Sequence, residues 1–151
     1  MKYTLYILYT AVVLMVMAGC KKSDDIDKIF VGKTWYMTSG MIQGQPIRGD
    51  ELKKFFVSGN TYVLSFATST MSGSLSSGTT LGATWTADGK SNDMSIRLTD
   101  TPTVDNPFDS NLLNILKGVK WYRGDENIIT LYADDQNYIG LSEKRSAQSE
   151  Y

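Results

Sequence analysis

The chain has 151 residues, with 15 Lys plus Arg against 16 Asp plus Glu, a formal net charge of −1, a single cysteine and no histidine. Without histidine there is no Ser-His-Asp triad, no Cys-His dyad, no His-rich zinc site and no facial-triad iron site. A near-neutral balance leaves no electrostatic footprint for nucleic acid. Carboxylate-pair chemistry, a lysine base or no chemistry at all remain; the expectation is a protein that is not an enzyme, with no catalytic residue, metal or cofactor.

The first element is a leader. Lys2 supplies a minimal positive region, and Tyr3 to Met17 is an apolar stretch of signal-peptide length, short of the roughly 20 residues that span a bilayer. Val16-Met17-Ala18-Gly19-Cys20 follows, and then an abrupt switch to Lys21-Lys22-Ser23-Asp24-Asp25. The run ending at Cys20 resembles the lipobox of bacterial lipoproteins, departing from it only at Met17, where leucine is commoner. The resemblance implies removal of residues 1–19 and acylation of Cys20, with about 0.8 kcal/mol per buried methylene holding the mature protein to a membrane. An uncleaved N-terminal anchor is the competing reading. In the lipoprotein pattern, Lys21 after the cysteine implies the outer membrane. Ser23-Asp24-Asp25 with Asp27 partly resembles the acidic export signal of surface lipoproteins in Bacteroidota-type bacteria. A solvated charged linker reads the same residues equally well, so the periplasmic and cell-surface faces both stay open.

Removing 19 residues leaves 132, enough for one domain and too few for two. With Cys20 acylated, that domain has no thiol for a disulfide or thiolate site. A polar tether is expected over 20–28, a β-barrel-like domain over 29–145 and a tail over 146–151. Trp35, Met37 and Met41 share one face of a first strand. Tyr62, Leu64 and Phe66 alternate in the next, Met71, Gly73 and Leu75 in a weak one, Leu81, Ala83 and Trp85 in another, and Met94, Ile96 and Leu98 in the one after. Asp88-Gly89 predicts a tight reversal between the last two. Strands at 119–123, 128–132 and 138–142 finish the set, with hairpin turns between them, so the pairing is expected to be antiparallel. Two short helices are expected. Asp50–Phe56 is the weaker; in Phe108–Lys117, Asn106 suits the N-cap, Pro107 the first helical position and Gly118 the position past the end. Phe108, Leu112, Ile115 and Leu116 form its apolar stripe. A mainly β protein of about seven or eight strands must hide its edges, and closing into a small antiparallel barrel does so.

Val63-Leu64-Ser65-Phe66, Met71-Ser72-Gly73, Thr84-Trp85-Thr86-Ala87-Asp88-Gly89, Leu116-Lys117-Gly118-Val119 with Trp121-Tyr122, and Ile129-Thr130-Leu131-Tyr132 occur in an order that resembles the META/HslJ-like domain. The Gly-Cys-Asn segment common in that family is missing. Gly32-Lys33-Thr34-Trp35 is similar to the Gly-x-Trp opening of lipocalins, with one extra residue. Both resemblances imply a small antiparallel barrel, and neither supplies a catalytic residue.

Asp134-Asp135 is the closest carboxylate pair but reads as a hairpin turn. Asp105-Asn106-Pro107-Phe108-Asp109 offers oxygens of the kind calcium takes without its EF-hand spacing. Trp35, Tyr62, Phe66, Arg97 and Trp121 are the candidate ligand-binding set, lining a hydrophobic or anion-accepting pocket if the barrel is hollow; in a filled barrel the aromatics are core and Arg97 faces solvent. The function expected is a lipid-anchored, non-enzymatic envelope protein that contacts another envelope protein or maintains the envelope. The alternative is a lipocalin-like carrier of a small hydrophobic or anionic ligand. The membrane, through acyl chains, is the expected partner in both.

Overall fold

A computed structural model describes residues 23–52 and 62–143. Residues 1–19, Cys20, the expected helix beyond Leu52 and the tail 146–151 lie outside the described residues.

The domain begins earlier than the sequence reading placed it. Ile26–Phe30 is a short helix, α1, inside the segment expected to be tether as far as residue 28. Asp25 caps it by accepting the Lys28 N–H at 3.1 Å, and Ile26, Ile29 and Phe30 turn one apolar stripe to the core. The strands follow: β1 (Thr34–Ile42), β2 (Gln45–Ile47), β3 (Val63–Phe66), β4 (Thr70–Ser74), β5 (Thr80–Ala87), β6 (Met94–Asp100), β7 (Trp121–Gly124), β8 (Ile128–Asp134) and β9 (Asn137–Ser142). Helix α2 is Gly49–Leu52 and α3 spans Pro107–Gly118. The N-terminal signals foreseen for α3 are in place, Asn106 Oδ1 accepting the Asp109 N–H at 2.8 Å and Pro107 opening the helix; at the other end Gly118, expected past the helix, is its last residue and Val119 is the cap. Strand β2 was not foreseen, because Pro46 cannot donate to a ladder; it survives as an edge strand paired only with β1.

All strand pairs are antiparallel and the order is β6-β5-β4-β3-β1-β9-β8-β7. The chain therefore enters at the middle of the sheet, and two meanders, β3–β6 and β7–β9, extend from either side of β1. The sheet curls into a half-barrel until its outermost strands meet at one end. There Asp93 and Trp121 form an isolated bridge, the Met94 N–H donates to Lys120 O at 2.8 Å, and the Tyr122 N–H donates to Asn92 O at 3.0 Å. Elsewhere the two edges splay apart, and α3 packs into the opening against β6, β8 and β9. Edge closure and a covering helix between them remove the open edges that a curled sheet cannot leave bare.

Strand β1 departs from simple alternation. Between Met37 and Ser39 the β1–β9 register shifts, a bulge that inserts one residue and inverts the parity beyond it. Trp35 and Met37 point inward, but after the bulge Gly40 and Ile42 are buried and Met41 turns to the outer face. The shared face expected for Trp35, Met37 and Met41 is thus broken at its third member.

The core is organised around Phe30, which is fully buried. Its ring lies 5.2 Å from Phe66, 5.3 Å from Trp85 and 5.1 Å from Tyr122, with Trp35 at 6.5 Å. Helix α1 is in effect a plug that delivers one aromatic ring into the barrel, where edge-to-face packing adds to area burial. Trp85 Nε1 is satisfied by the carbonyls of Ala67 and Thr70 at 2.9 and 3.1 Å.

The Asp88–Asp93 connection is the tight reversal expected at Asp-Gly, the Asp88 N–H donating to Asp93 O at 2.9 Å and the Asn92 N–H to Asp88 O at 2.8 Å. Asp88 Oδ1 accepts the Lys90 N–H at 2.7 Å, and the residue with positive φ is Asn92, at 67°. Gly89 has a different job: a Cβ there would collide with the Asp24 carbonyl. The glycine clears the path of the incoming N-terminal chain.

Candidate functional site

The candidate ligand set does not converge. Trp35, Tyr62 and Phe66 are buried in the core, at 0%, 3% and 2% exposure, whereas Arg97 lies exposed on the outside of β6 and Trp121 is partly exposed on the outside of β7. Strand alternation separates them: Arg97 is flanked by inward Ile96, and Trp121 by inward Tyr122. Among the described residues, a gap beside Met37, Tyr62, Leu64 and Leu116 measures about 20 Å³, room for about one water. Phe30, which the tether boundary placed at the domain's edge, occupies the centre.

A buried polar cluster lies between the 3₁₀ turn Ser76–Gly78 and the first turn of α3. Asp109, 2% exposed, accepts the Tyr62 hydroxyl at 2.9 Å and the Ser76 hydroxyl on its other oxygen. Asn106 Nδ2 donates to Ser76 Oγ at 2.9 Å. Burial, then the Asp109 carboxylate, pushes the Tyr62 hydroxyl well above the usual tyrosine range. Asp109 stands at N3, the place from which an acidic side chain ordinarily reaches back to the N-cap, and that position was the available sequence signal. The oxygens considered for calcium at Asn106 and Asp109 are committed to the helix cap and to these hydroxyls. Among the described residues, no group of three or more His, Cys, Asp or Glu side chains is placed to hold a metal ion. Asp134 ends β8 at the β8–β9 turn, held by the Gln136 N–H at 2.8 Å and by Asn137, and these hydrogen bonds keep its carboxyl below the usual range.

Two surface features remain. On the outer face, register places Trp121 beside Tyr132, Tyr132 beside Tyr138, Tyr138 beside Met41, and Met41 beside Pro46. This is one continuous row across five strands. The Trp121 and Tyr132 rings stack at 5.3 Å and 6°, Tyr138 follows at 5.1 Å, and the Arg123 guanidinium lies 5.7 Å over Tyr132. The first pair is stacked face to face, whereas Tyr138 meets Tyr132 tilted by 46°. Met41 belongs to the row only because of the β1 bulge.

Beside that row, a groove of about 370 Å³ runs between the second half of α3 and the β8–β9 hairpin. Ile115, Gly118 and Ala133 floor it; Asn111, Asn114, Lys120, Gln43 and Asp134 rim it. Its walls are rigidly set, since the Gln43 N–H donates to Asn137 Oδ1 at 2.9 Å and the Gly44 N–H to Gln136 O at 3.0 Å. These two bonds clamp the β1–β2 turn, with positive φ at both Gln43 and Gly44, onto the β8–β9 turn. Sequence reading missed the groove; two amides one helical turn apart on the polar face of α3 were its only trace.

Among described residues, no helix is long and apolar enough to cross a membrane. No curated protein matches the chain. A crystal structure of a DUF4847 family protein from Bacteroides vulgatus ATCC 8482 has the same fold, with a TM-score of 0.65 and 20% identity over 80% of this chain and 99% of that one. The DUF4847 pattern, a domain of unknown function, matches residues 21–142, starting just past the cysteine and ending with β9. The chain belongs to the DUF4847 family.

Proposed function

We propose that this is a lipid-anchored, non-enzymatic protein of the cell envelope that works through its outer face, by contact with another envelope protein. The observation that carries the reading is the outer row Trp121–Tyr132–Tyr138–Met41 set on a barrel whose interior is filled by side chains. Contiguous aromatic and apolar surface of that kind marks contact sites, and Trp, Tyr, Met and Arg are the residue types that interfaces favour. The lipocalin-like carrier would need a hollow interior; among the described residues the gap beside Met37, Tyr62, Leu64 and Leu116 measures about 20 Å³, which favours the contact reading.

The anchor follows from Cys20 and its lipobox resemblance; outer-membrane placement, facing the periplasm or the cell surface, follows from Lys21. Asp24 is already fixed to the barrel through Gly89, Asn92 and Tyr122, so only Cys20 to Ser23 separate the acyl chains from folded structure. At about 3.5 Å per residue, the barrel stands no more than roughly 14 Å from the membrane surface. The test is twofold. Cys20→Ser should release the protein from the membrane fraction and abolish acylation. A photo-crosslinking residue at Tyr132, in cells, should give one discrete protein adduct that the same residue at Arg97 does not give and that Trp121→Ala removes. Membrane retention by the Cys20→Ser chain sinks the anchor, and the absence of any Tyr132-specific adduct sinks the contact.

A further inference from the structure

We propose that the groove between α3 and the β8–β9 hairpin is a binding site for a neutral saccharide. This goes beyond anchoring and protein contact and depends on neither. The groove exists because two small residues meet where the end of α3 crosses β8: a Cβ on Gly118 would lie only 3.2 Å from Ala133 Cβ. Larger residues would close it, whereas Gly118 and Ala133 with Ile115 leave a shallow apolar floor suited to the C–H face of a sugar ring.

The rim has the matching polarity. A sugar hydroxyl donates and accepts at once, and a carboxamide offers a donor and an acceptor side by side. Asn111 and Asn114 stand at i and i+3 on α3, so their side chains lie on one face. Neither makes a hydrogen bond to another described side chain, and Asn111 is only partly exposed. Gln43 adds a third amide from the clamped β1–β2 turn. The rim carries one cation and one anion, Lys120 and Asp134, so it presents no net charge to a ligand. About 370 Å³ falls within the span of small-molecule sites, about 300–1,000 Å³. Because the turns that carry Gln43 and Asp134 are bonded to each other, the rim loses little freedom when it is occupied.

The test is NMR on the ¹⁵N-labelled full chain in detergent micelles, titrated separately with maltotriose, mannotriose and triacetylchitotriose, and with inorganic phosphate and tetraglycine. At least one trisaccharide should shift the Asn111 and Asn114 side-chain amides and the Gly118 N–H in a saturable way. The Asn111→Ala/Asn114→Ala double variant should weaken that binding at least about tenfold while leaving the rest of the spectrum in place. Should that variant perturb the fold, Lys120→Ala, at an exposed rim position, gives the same reading. The proposal is overturned if no trisaccharide moves these signals, or if phosphate or tetraglycine moves them as strongly. Either result is independent of acylation at Cys20 and of the Tyr132 adduct.

Discussion

The Tyr122 hydroxyl donates to Asp24 Oδ2 at 2.8 Å, joining residues 98 positions apart. Asn92 Nδ2 donates to the same oxygen at 2.7 Å, and the Asp24 N–H donates to Gly89 O at 2.7 Å. Asp24 is therefore held by β7 and by the β5–β6 turn, next to the Asp93–Trp121 bridge that joins the two sheet edges. The N-terminal strap and the closure of the barrel are one structural unit.

Gly89→Ala tests that unit. The added methyl would occupy the position of the Asp24 carbonyl, so the strap must lift and its hydrogen bonds must break. We expect a loss of about 1–3 kcal/mol in urea unfolding, with new protease cleavage between residues 23 and 28. Gly82→Ala, whose methyl would meet the Thr99 hydroxyl at 3.3 Å and Asp100 Cβ at 3.9 Å, is the control and should stay protected. Equal protection of the strap in both variants would show that Gly89 does not gate it.

Alkali should attack the same corner. Burial, reinforced by the Asp24 carboxylate, pushes the Tyr122 hydroxyl up to about 12, against about 10 in an unfolded chain. A group whose pKa is raised on folding contributes stability that is complete below the unfolded value and is lost as pH climbs through the folded one. Stability should hold up to about pH 10 and fall between 10 and 12, by about 1.4 kcal/mol per pH unit for each such tyrosine. Tyr62, displaced in the same direction, steepens the fall. Urea midpoints across pH 8–12 measure it, and Tyr122→Phe should flatten the curve. A slope unchanged by that substitution would refute the assignment.

Asp109 is the buried carboxylate on which Tyr62 and Ser76 converge. Asp109→Leu removes the buried carboxylate on which both hydroxyls converge, and a loss of about 2–4 kcal/mol is expected. Asp109→Asn keeps an acceptor oxygen and should cost less. Tyr62→Phe alone removes a donor from the carboxylate, but in the Asp109→Leu background it should cost almost nothing. A double-mutant cycle in chemical denaturation measures this coupling; additive effects would mean that Tyr62 and Asp109 act separately.

The strands whose apolar residues alternate without interruption were legible in the sequence, because one buried face imposes a period of two. The α3 caps at Asn106 and Pro107 were legible for the same local reason. What stayed hidden depends on register. The bulge after Met37 turns Met41 outward, and no local pattern announces it. The outer row needs five strands in order before Trp121 and Pro46 fall on one line. Asp109 reads as an ordinary acidic first-turn residue until Tyr62 and Ser76 arrive from elsewhere in the chain. The pocket set Trp35, Tyr62, Phe66, Arg97 and Trp121 failed to assemble because chemical type says nothing about which side of a sheet a residue takes.

Phe30 offers the sharpest test of how the domain begins. A tether running to residue 28 would make Phe30 the second residue of the domain and a marginal one; the structure makes it the hub of the aromatic core, in ring contact with Trp35, Phe66, Trp85 and Tyr122. Phe30→Ala should cost about 3–5 kcal/mol, as large-to-small changes at fully buried rings do. Phe30→Leu should cost less, since it retains most of the volume and loses only ring geometry. The near-ultraviolet circular dichroism of Trp35 and Trp85 should collapse in the alanine variant before the far-ultraviolet strand signal does, because β1 and β5 keep their ladders while losing their shared partner. A Phe30→Ala chain with an unchanged denaturation midpoint would show that the plug is dispensable and that the barrel closes without α1.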